Sequence, residues 1–249
     1  MNNNPYELNP QVQDQDYIQQ LSVDCVIFGF HQNQLKVLVS RFKNTDLWGL
    51  LGGYVRQQEN IDDAAKRILY DTTRLEGIYL EQYHTFGEYD RTSNEQLQLI
   101  LQKNQISIED SHWMLRRFVS IGYYALVDFS QVQPSPGFLC DICEWYDLQQ
   151  LPTLVLDHEI MIRKALACLQ GGLDQKLVGF SLLPETFTMA ELKILYETIL
   201  AKKIRMNNFQ RKILDLNILE RIEKKYTGAA HKAPYLYRIA QRDKIIDSV

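Results

Sequence analysis

The sequence predicts an α/β (α+β) sandwich followed by a helix-turn-helix domain that carries a two-stranded wing. Three observations carry that expectation. Between residues 21 and 172, β-branched and aromatic runs are interrupted by one periodic helix and closed by another. From about residue 176 the pattern becomes helix, basic turn, helix and two short strands. The charge changes at the same place. Residues 1–175 carry 13 Lys+Arg against 23 Asp+Glu, a net of −10, and residues 176–249 carry 14 against 8, a net of +6, which sum to the −4 of the whole chain. A basic third on an acidic body suggests that one end meets a polyanion.

Residues 1–20 are polar and glutamine-rich and read as an N-terminal tail. Val23–Phe30 and Gln34–Arg41 are β-branched and aromatic runs separated by a polar turn, which is a hairpin signature. Leu47–Val55 follows as a strand whose paired glycines, Gly52 and Gly53, let a ligand or another backbone approach. A helix is expected over 61–75, with Asn60 as its N-cap and Asp62 and Asp63 favourable in its first turn. Ile78–Arg91 reads as further strand. Residues 92–116 break the rhythm with two short helices, one through Leu97, Ile100 and Leu101 and one opened by a capping box at Ser107–Asp110. Phe118–Val127 and Phe138–Trp145 return to strand. Pro152 leads into a closing helix through Ile160, Ile162, Ala165, Leu166 and Leu169, ended by Gly171 and Gly172.

The domains are therefore a tail at 1–20, a sandwich at 21–172 and a second domain at 176–249. In the latter, Thr188 and Glu191 form a capping box for a helix through Leu192, Leu195, Tyr196 and Leu200. A basic turn, Ala201–Met206, leads to a second helix over Asn207–Leu214. Leu219–Lys225 and Tyr235–Ile239 make a hairpin around a basic tip. This is the layout of a winged helix-turn-helix, whose second helix puts its polar face in the DNA major groove. Amides pair with adenine and arginine with guanine, so Asn207, Asn208, Gln210 and Arg211 are the candidate base readers. Lys202, Lys203, Arg205, Lys224, Lys225 and Lys232 are placed near phosphates.

Other chemistry is thin. No apolar run reaches the ~18 residues of a membrane span, and Met1–Glu7 lacks the basic start and apolar run of a signal peptide. A cytoplasmic protein is expected. Cys140 and Cys143 form a lone CxxC in an apolar segment, with Cys25 and Cys168 isolated, so structural thiols are expected rather than a zinc site or disulfides.

The stretch that organises the first domain is Gly53–Glu59 and the helix after it. Gly53, Glu59 and Arg67 sit at the spacing of the Nudix box. In an active box the next positions read Glu, apolar, any, Glu, Glu; here they read Ile68, Leu69, Tyr70, Asp71 and Thr72. Residues 68, 71 and 72 share one helix face. Mg²⁺ needs hard oxygen ligands, and Ile68 offers none while Thr72 offers a neutral hydroxyl. Ala64, Ala65, Ile68, Leu69, Thr72 and Leu75 instead make an ordinary buried stripe. No metal, cofactor or catalytic residue is expected.

Residues 20–170 resemble a Nudix domain. The span 20–240 resembles the Nudix-related transcriptional regulators, which couple a degenerate Nudix sensor to a winged helix. Trp48–Val55, Leu156–His158 and Asn208–Ile213 carry the likeness. The family includes regulators of NAD metabolism that bind ADP-ribose and a branch that responds to arabinose or a similar pentose. Val23–Phe30 and Val178–Pro184 are closer to the sugar branch, and the insertion at 92–116 departs from the family pattern. Arg41, Gly52, Gly53, Glu88, Asp90, Arg91 and Tyr123 are expected to line the effector cleft, joined by Asp157 and His158. Carboxylates and arginine around aromatic faces suit a polyhydroxylated ligand. The blander alternatives are a surface salt bridge for Asp90 and Arg91, and helix capping by Asp157 with a packed His158. The expected function is a ligand-responsive DNA-binding transcriptional regulator that binds a palindromic operator as a homodimer and senses a sugar. The alternatives are a Nudix hydrolase with an altered metal site around Glu59 and Asp71, or a regulator answering to ADP-ribose.

Overall fold

The computed structural model describes residues 14–91, 94–107, 109, 112–173, 178–225 and 233–240. Strand β1 (Tyr17–His31) runs through the middle of a seven-stranded mixed sheet. It turns back into β2 (Gln34–Phe42) through Gln32 and Asn33, at φ 49° and 62°. Two residues with positive φ make the tight turn whose twist suits a hairpin, and the register Ile27↔Leu38 to His31↔Gln34 follows from it. β3 (Trp48–Gly49) pairs with β2, and β4 (Leu51–Arg56) pairs with β1. Helix α1 (Ile61–Thr73) leads to β5 (Tyr79–Phe86), and α2 (Asn94–Lys103) precedes β6 (Val119–Val127), which lies parallel to β1. β7 (Cys140–Asp147) returns to the outer side of β2, and α3 (His158–Gly172) closes the domain.

The second domain opens with β8 (Phe187–Thr188) and α4 (Met189–Leu200), continues with α5 (Met206–Asp215), and ends in β9 (Leu219–Lys224) and β10 (Tyr235–Ile239). The three strands order β8-β10-β9. The capping box is present: Thr188 Oγ accepts from Glu191 N at 3.2 Å, and the Glu191 carboxylate accepts from Thr188 N at 2.7 Å. Two residues three positions apart thus satisfy orphan donors at the start of α4.

Four expectations need correcting. The tail ends earlier, because residues 17–20 already belong to β1, where Tyr17 pairs with Arg56. Gln19 and Gln20 are exposed, and Gln20 has φ 67°, so the strand enters through an irregular step that the polar composition hides. The strand at 47–55 breaks at Leu50, whose N–H is given to His158 Nδ1 at 2.9 Å rather than to a neighbouring strand. Asn60 does occupy the N-cap of α1, but its side chain donates to Asp63 and caps nothing. The second helix of the insertion is a single 3-10 turn, Trp113–Leu115, capped by His112. Of the capping box expected there, residues 108 and 110 lie outside the described residues, as do 1–13 of the tail, 174–176 of the connection and the wing tip with Lys232.

The pleat sorts the core. Odd-numbered residues of β1 (Val23, Cys25, Ile27) pack with Leu51, Val55 and the α1 stripe. Even-numbered Val26 and Phe28 face the other way, against Met161, Ile162, Ala165 and Leu169 of α3. That second cluster does not stop at the domain boundary. It continues through Phe180 and Leu182 into Leu192, Leu195, Tyr196, Phe209, Ile213 and Tyr237 of the second domain. Hydrogen bonds tie the same junction: Gln170 Nε2 to Ile199 O at 2.7 Å, Tyr196 Oη to Leu173 O at 3.4 Å, and Thr198 Oγ to Asn33 O at 3.2 Å. Among the described residues no helix is long and apolar enough to cross a membrane.

Candidate functional site

A cavity of about 360 Å³ opens where β1, β4 and β6 meet the first turn of α3. Its floor is polar and its roof is not. On the floor, Ser22 and Asp24 of β1 stand on the pleat face opposite the α1 core, beside Ser120 of β6. Gly52 is opposite Asp24 on β4, and a Cβ there would collide with Asp24 Oδ1, so only glycine leaves room for that carboxylate. Leu97 and Ile100 of α2, with Met114 and Phe118 after it, supply much of the apolar lining. The insertion is thus part of the site. Gln96 Oε1 accepts from Leu156 N at 2.7 Å, and Asn104 Nδ2 donates to Lys43 O at 2.8 Å, so α2 is fastened to the cavity rim on both sides.

The floor is a hydrogen-bonded circuit. Arg91 grips Asp157 in a fork, Nε to Oδ2 at 3.0 Å and Nη2 to Oδ1 at 2.8 Å, and its Nη1 donates to Ser120 Oγ at 2.9 Å. Ser120 Oγ lies 2.6 Å from Ser22 Oγ, which donates to Asp24 Oδ2 at 3.4 Å. Asp24 Oδ1 is 4.0 Å from Nε2 of His158, the residue after Asp157. Because His158 Nδ1 accepts the Leu50 N–H, its own proton belongs on Nε2, facing Asp24. Burial holds the His158 pKa below its ordinary value, so the ring is neutral. The Arg91 charge is matched by Asp157. The Asp24 charge is left over.

The box around this cavity is intact as a scaffold. Glu59 takes both Nε and Nη2 of Arg67 at 2.7 and 2.8 Å, and Arg67 also donates to Tyr54 O at 3.0 Å. That pairing holds the Glu59 carboxyl below its usual range. Ile68 is buried beneath Gly53, at 3.2 Å from where a Cβ would stand. Thr72 Oγ donates back to Ile68 O at 2.8 Å, and Asp71 is exposed on the outside of the helix, 4.0 Å from Arg74. Among the described residues no three His, Cys, Asp or Glu side chains converge on a position that would hold a metal. Burial raises the thiols of Cys140 and Cys143 to about 12 and about 11, far from a reactive thiolate.

Of the nine residues expected in the cleft, Gly52, Gly53, Arg91 and His158 line the cavity, and Asp157 stands behind Arg91. The others do not meet there. Arg41 lies between Ser40 and Phe42, which do line it, and so points away, bound to Asp141 at 3.0 Å. Tyr123 has the same wrong parity on β6 and bonds Asp62 on the α1 side. Glu88 and Asp90 are exposed and line no part of the cavity. The blander alternatives hold in part: Arg91 pairs with half-buried Asp157 rather than with a surface partner, Asp157 at the N-cap of α3 makes no capping bond, and His158 is packed. Ser22, Asp24, Ser120 and the α2 residues escaped the sequence reading. The signal was present in Ser22 and Asp24, polar at alternate positions of an otherwise apolar strand.

On the second domain, Phe209 and Ile213 bury one face of α5, with the Phe209 ring 5.1 Å from Tyr196. The opposite face leaves Asn207, Asn208 and Arg211 exposed and Gln210 half-buried. Lys202, Lys203 and Arg205 extend from the turn before it. Lys225 is tied to Glu191 at 2.9 Å, and Lys224 lies over Tyr235, 5.6 Å from the ring centre.

A family described as "NUDIX domain" matches residues 18–165, and one described as "NrtR DNA-binding winged helix domain" matches 179–239. A relative from Acinetobacter baylyi, the "ADPR responsive transcriptional repressor NtrR", is 29% identical over 245 residues, covering 94% of this chain and 87% of its own. The crystal structures of Shewanella oneidensis NrtR, alone and with a 27mer DNA, share 28% identity and a TM-score of 0.68, covering 89% of this chain and 94% of theirs. A MutT/nudix protein from Enterococcus faecalis has the same fold at a TM-score of 0.63 and 20% identity, covering 92% and 90%. These likenesses carry no support for the arabinose-like effector expected from Val23–Phe30 and Val178–Pro184. The relative that spans nearly the whole chain is named for ADP-ribose.

Proposed function

We propose, because the chain belongs to the Nudix-related transcriptional regulator family, that it is a DNA-binding repressor whose Nudix domain senses ADP-ribose and does not hydrolyse it. The observation that carries this reading is the pairing of a sealed box with an open cavity. Ile68 and Thr72 replace carboxylates that would hold Mg²⁺, yet the adjoining cleft keeps polar floor, aromatic wall and volume for a ligand. Tyr17, Tyr54 and Phe118 offer ring faces for a base, and Arg116 stands at the exposed rim where a diphosphate can meet it. The likeness to an ADP-ribose-responsive repressor supports the choice of effector over a free pentose.

The route from cavity to DNA is short. Asp157 and His158 begin α3 at the cavity floor, the far end of α3 is bonded to α4, and α4 packs against α5 through Tyr196 and Phe209. A ligand shifts DNA binding only by its differential affinity for two arrangements of these parts, so a coupling of roughly 1–3 kcal/mol is expected. The test is fluorescence anisotropy on a duplex selected by this protein from a random pool. ADP-ribose should raise the dissociation constant, while arabinose and ribose at the same concentration should not. Arg211→Ala should weaken DNA binding by about 1–3 kcal/mol if it reads a base and leave ADP-ribose binding intact. DNA binding indifferent to ADP-ribose would overturn the reading.

A further inference from the structure

We propose that Asp24 anchors the effector by accepting both hydroxyls of a ribosyl vicinal diol, which turns the ligand's sugar toward the cavity floor and its phosphates toward the rim. The inference rests on the ADP-ribose reading for the identity of the ligand, but the chemistry is that of any ribosyl group.

The observation is a carboxylate with too few partners. Asp24 is 8% exposed and lines the cavity, yet the hydrogen bond given to it by a side chain is one from Ser22 Oγ at 3.4 Å. The nearest ring, His158, is neutral and its Nε2 stands at 4.0 Å. The guanidinium on the floor is spent on Asp157 and Ser120. A carboxylate accepts up to about four hydrogen bonds and donates none, and leaving one buried and unpaired is costly. Gly52 keeps this arrangement open, since any side chain there would press on Asp24 Oδ1.

The missing partners must be donors. A diphosphate is excluded by charge, so the phosphates of the ligand lie away from Asp24, where Arg116 lines the exposed edge. A vicinal diol presents two O–H groups that can meet the two carboxylate oxygens, and hydrogen bonds to an ionised acceptor are the strong kind.

The test is a double-mutant cycle by isothermal titration. Wild type and Asp24→Asn are each titrated with ADP-ribose and with analogues lacking the hydroxyls of one ribose or of the other. Wild type should lose about tenfold or more in affinity for one of the analogues, and Asp24→Asn should bind ADP-ribose and that analogue equally. Should Asp24→Asn fail to fold by circular dichroism, Asp24→Ser serves the same cycle. If the variant weakens all three ligands by one common factor, or weakens none, the anchor is elsewhere and the inference falls while the effector reading stands. If wild type ignores ADP-ribose but binds another ribosyl compound in a manner coupled to Asp24, the effector reading falls and the anchor stands. Binding of no diol-bearing compound overturns both.

Discussion

Asp157 meets Arg91 where water scarcely reaches, with side chains 10% and 2% exposed. A buried pair of this kind contributes little net stability against an apolar substitute, but removing one member strands the other. Asp157→Ala should therefore cost about 3–5 kcal/mol in urea denaturation, a large share of the 5–15 kcal/mol that holds a typical domain together. A loss below about 1 kcal/mol would mean that the pair behaves as an exposed one. At this scale the sequence was only half legible. The resemblance brought attention to Arg91, Asp157 and His158, but not to Ser22, Asp24 or Ser120. Two of the residues that lie outside the cavity share a cause. Arg41 and Tyr123 sit one step out of phase with Ser40 and Ser120, and one residue of strand register reverses the face. Register becomes visible only when the partner strand is known.

Helix α1 shows how an element can keep its shape after losing its chemistry. Ala64, Ala65, Ile68, Leu69 and Thr72 are buried, as the apolar stripe predicts, while Glu59 and Arg67 still lock the preceding loop. Restoring a carboxylate is not expected to restore a catalyst. Ile68→Glu would put an ionisable group 5% exposed beneath Gly53 with no metal partner set nearby. The expected outcome is a lower melting temperature and no Mg²⁺-dependent turnover of ADP-ribose, followed by calorimetry and by chromatography of the nucleotide. Turnover by wild type would show that Glu59 and Asp71 suffice, and turnover gained only by the variant would show that the missing carboxylate was the whole defect. Elements of this length and periodicity were legible, and so was the capping box of α4. Of the insertion, α2 was legible as a helix, while the 3-10 turn at Trp113–Leu115 was expected as a second one, and nothing in the periodicity of Leu97, Ile100 and Leu101 says what they cover.

For the whole molecule, two domains and their order follow from composition, but their joint core does not. One winged helix presents one recognition helix, and a palindromic operator presents two half-sites, so a two-fold dimer is the expected form on DNA. Light scattering should give a mass twice that of the 249-residue chain, with the two α5 helices on one side. A monomer at micromolar concentration, both free and on DNA, would contradict it. The sheet face carrying Phe28 and Leu35 and the inner face of α4 each read as an ordinary domain core. That they are one core depends on contacts between residues more than a hundred positions apart, which no local pattern records.

The shared core also bears on how such regulators can diversify. Exchanging the winged domain for one from another regulator would cut through Phe180, Leu195, Tyr196 and the α3 residues packed with them, exposing apolar surface on both halves. It would also strand the carbonyl of Asn33 at the hairpin tip and that of Leu173. A graft that takes only the exposed face of α5, Asn207, Asn208 and Arg211, leaves those contacts alone. With α5 as the proposed reading helix, new operator preferences are therefore expected from point substitution on that one helix far more readily than from recombination of whole domains.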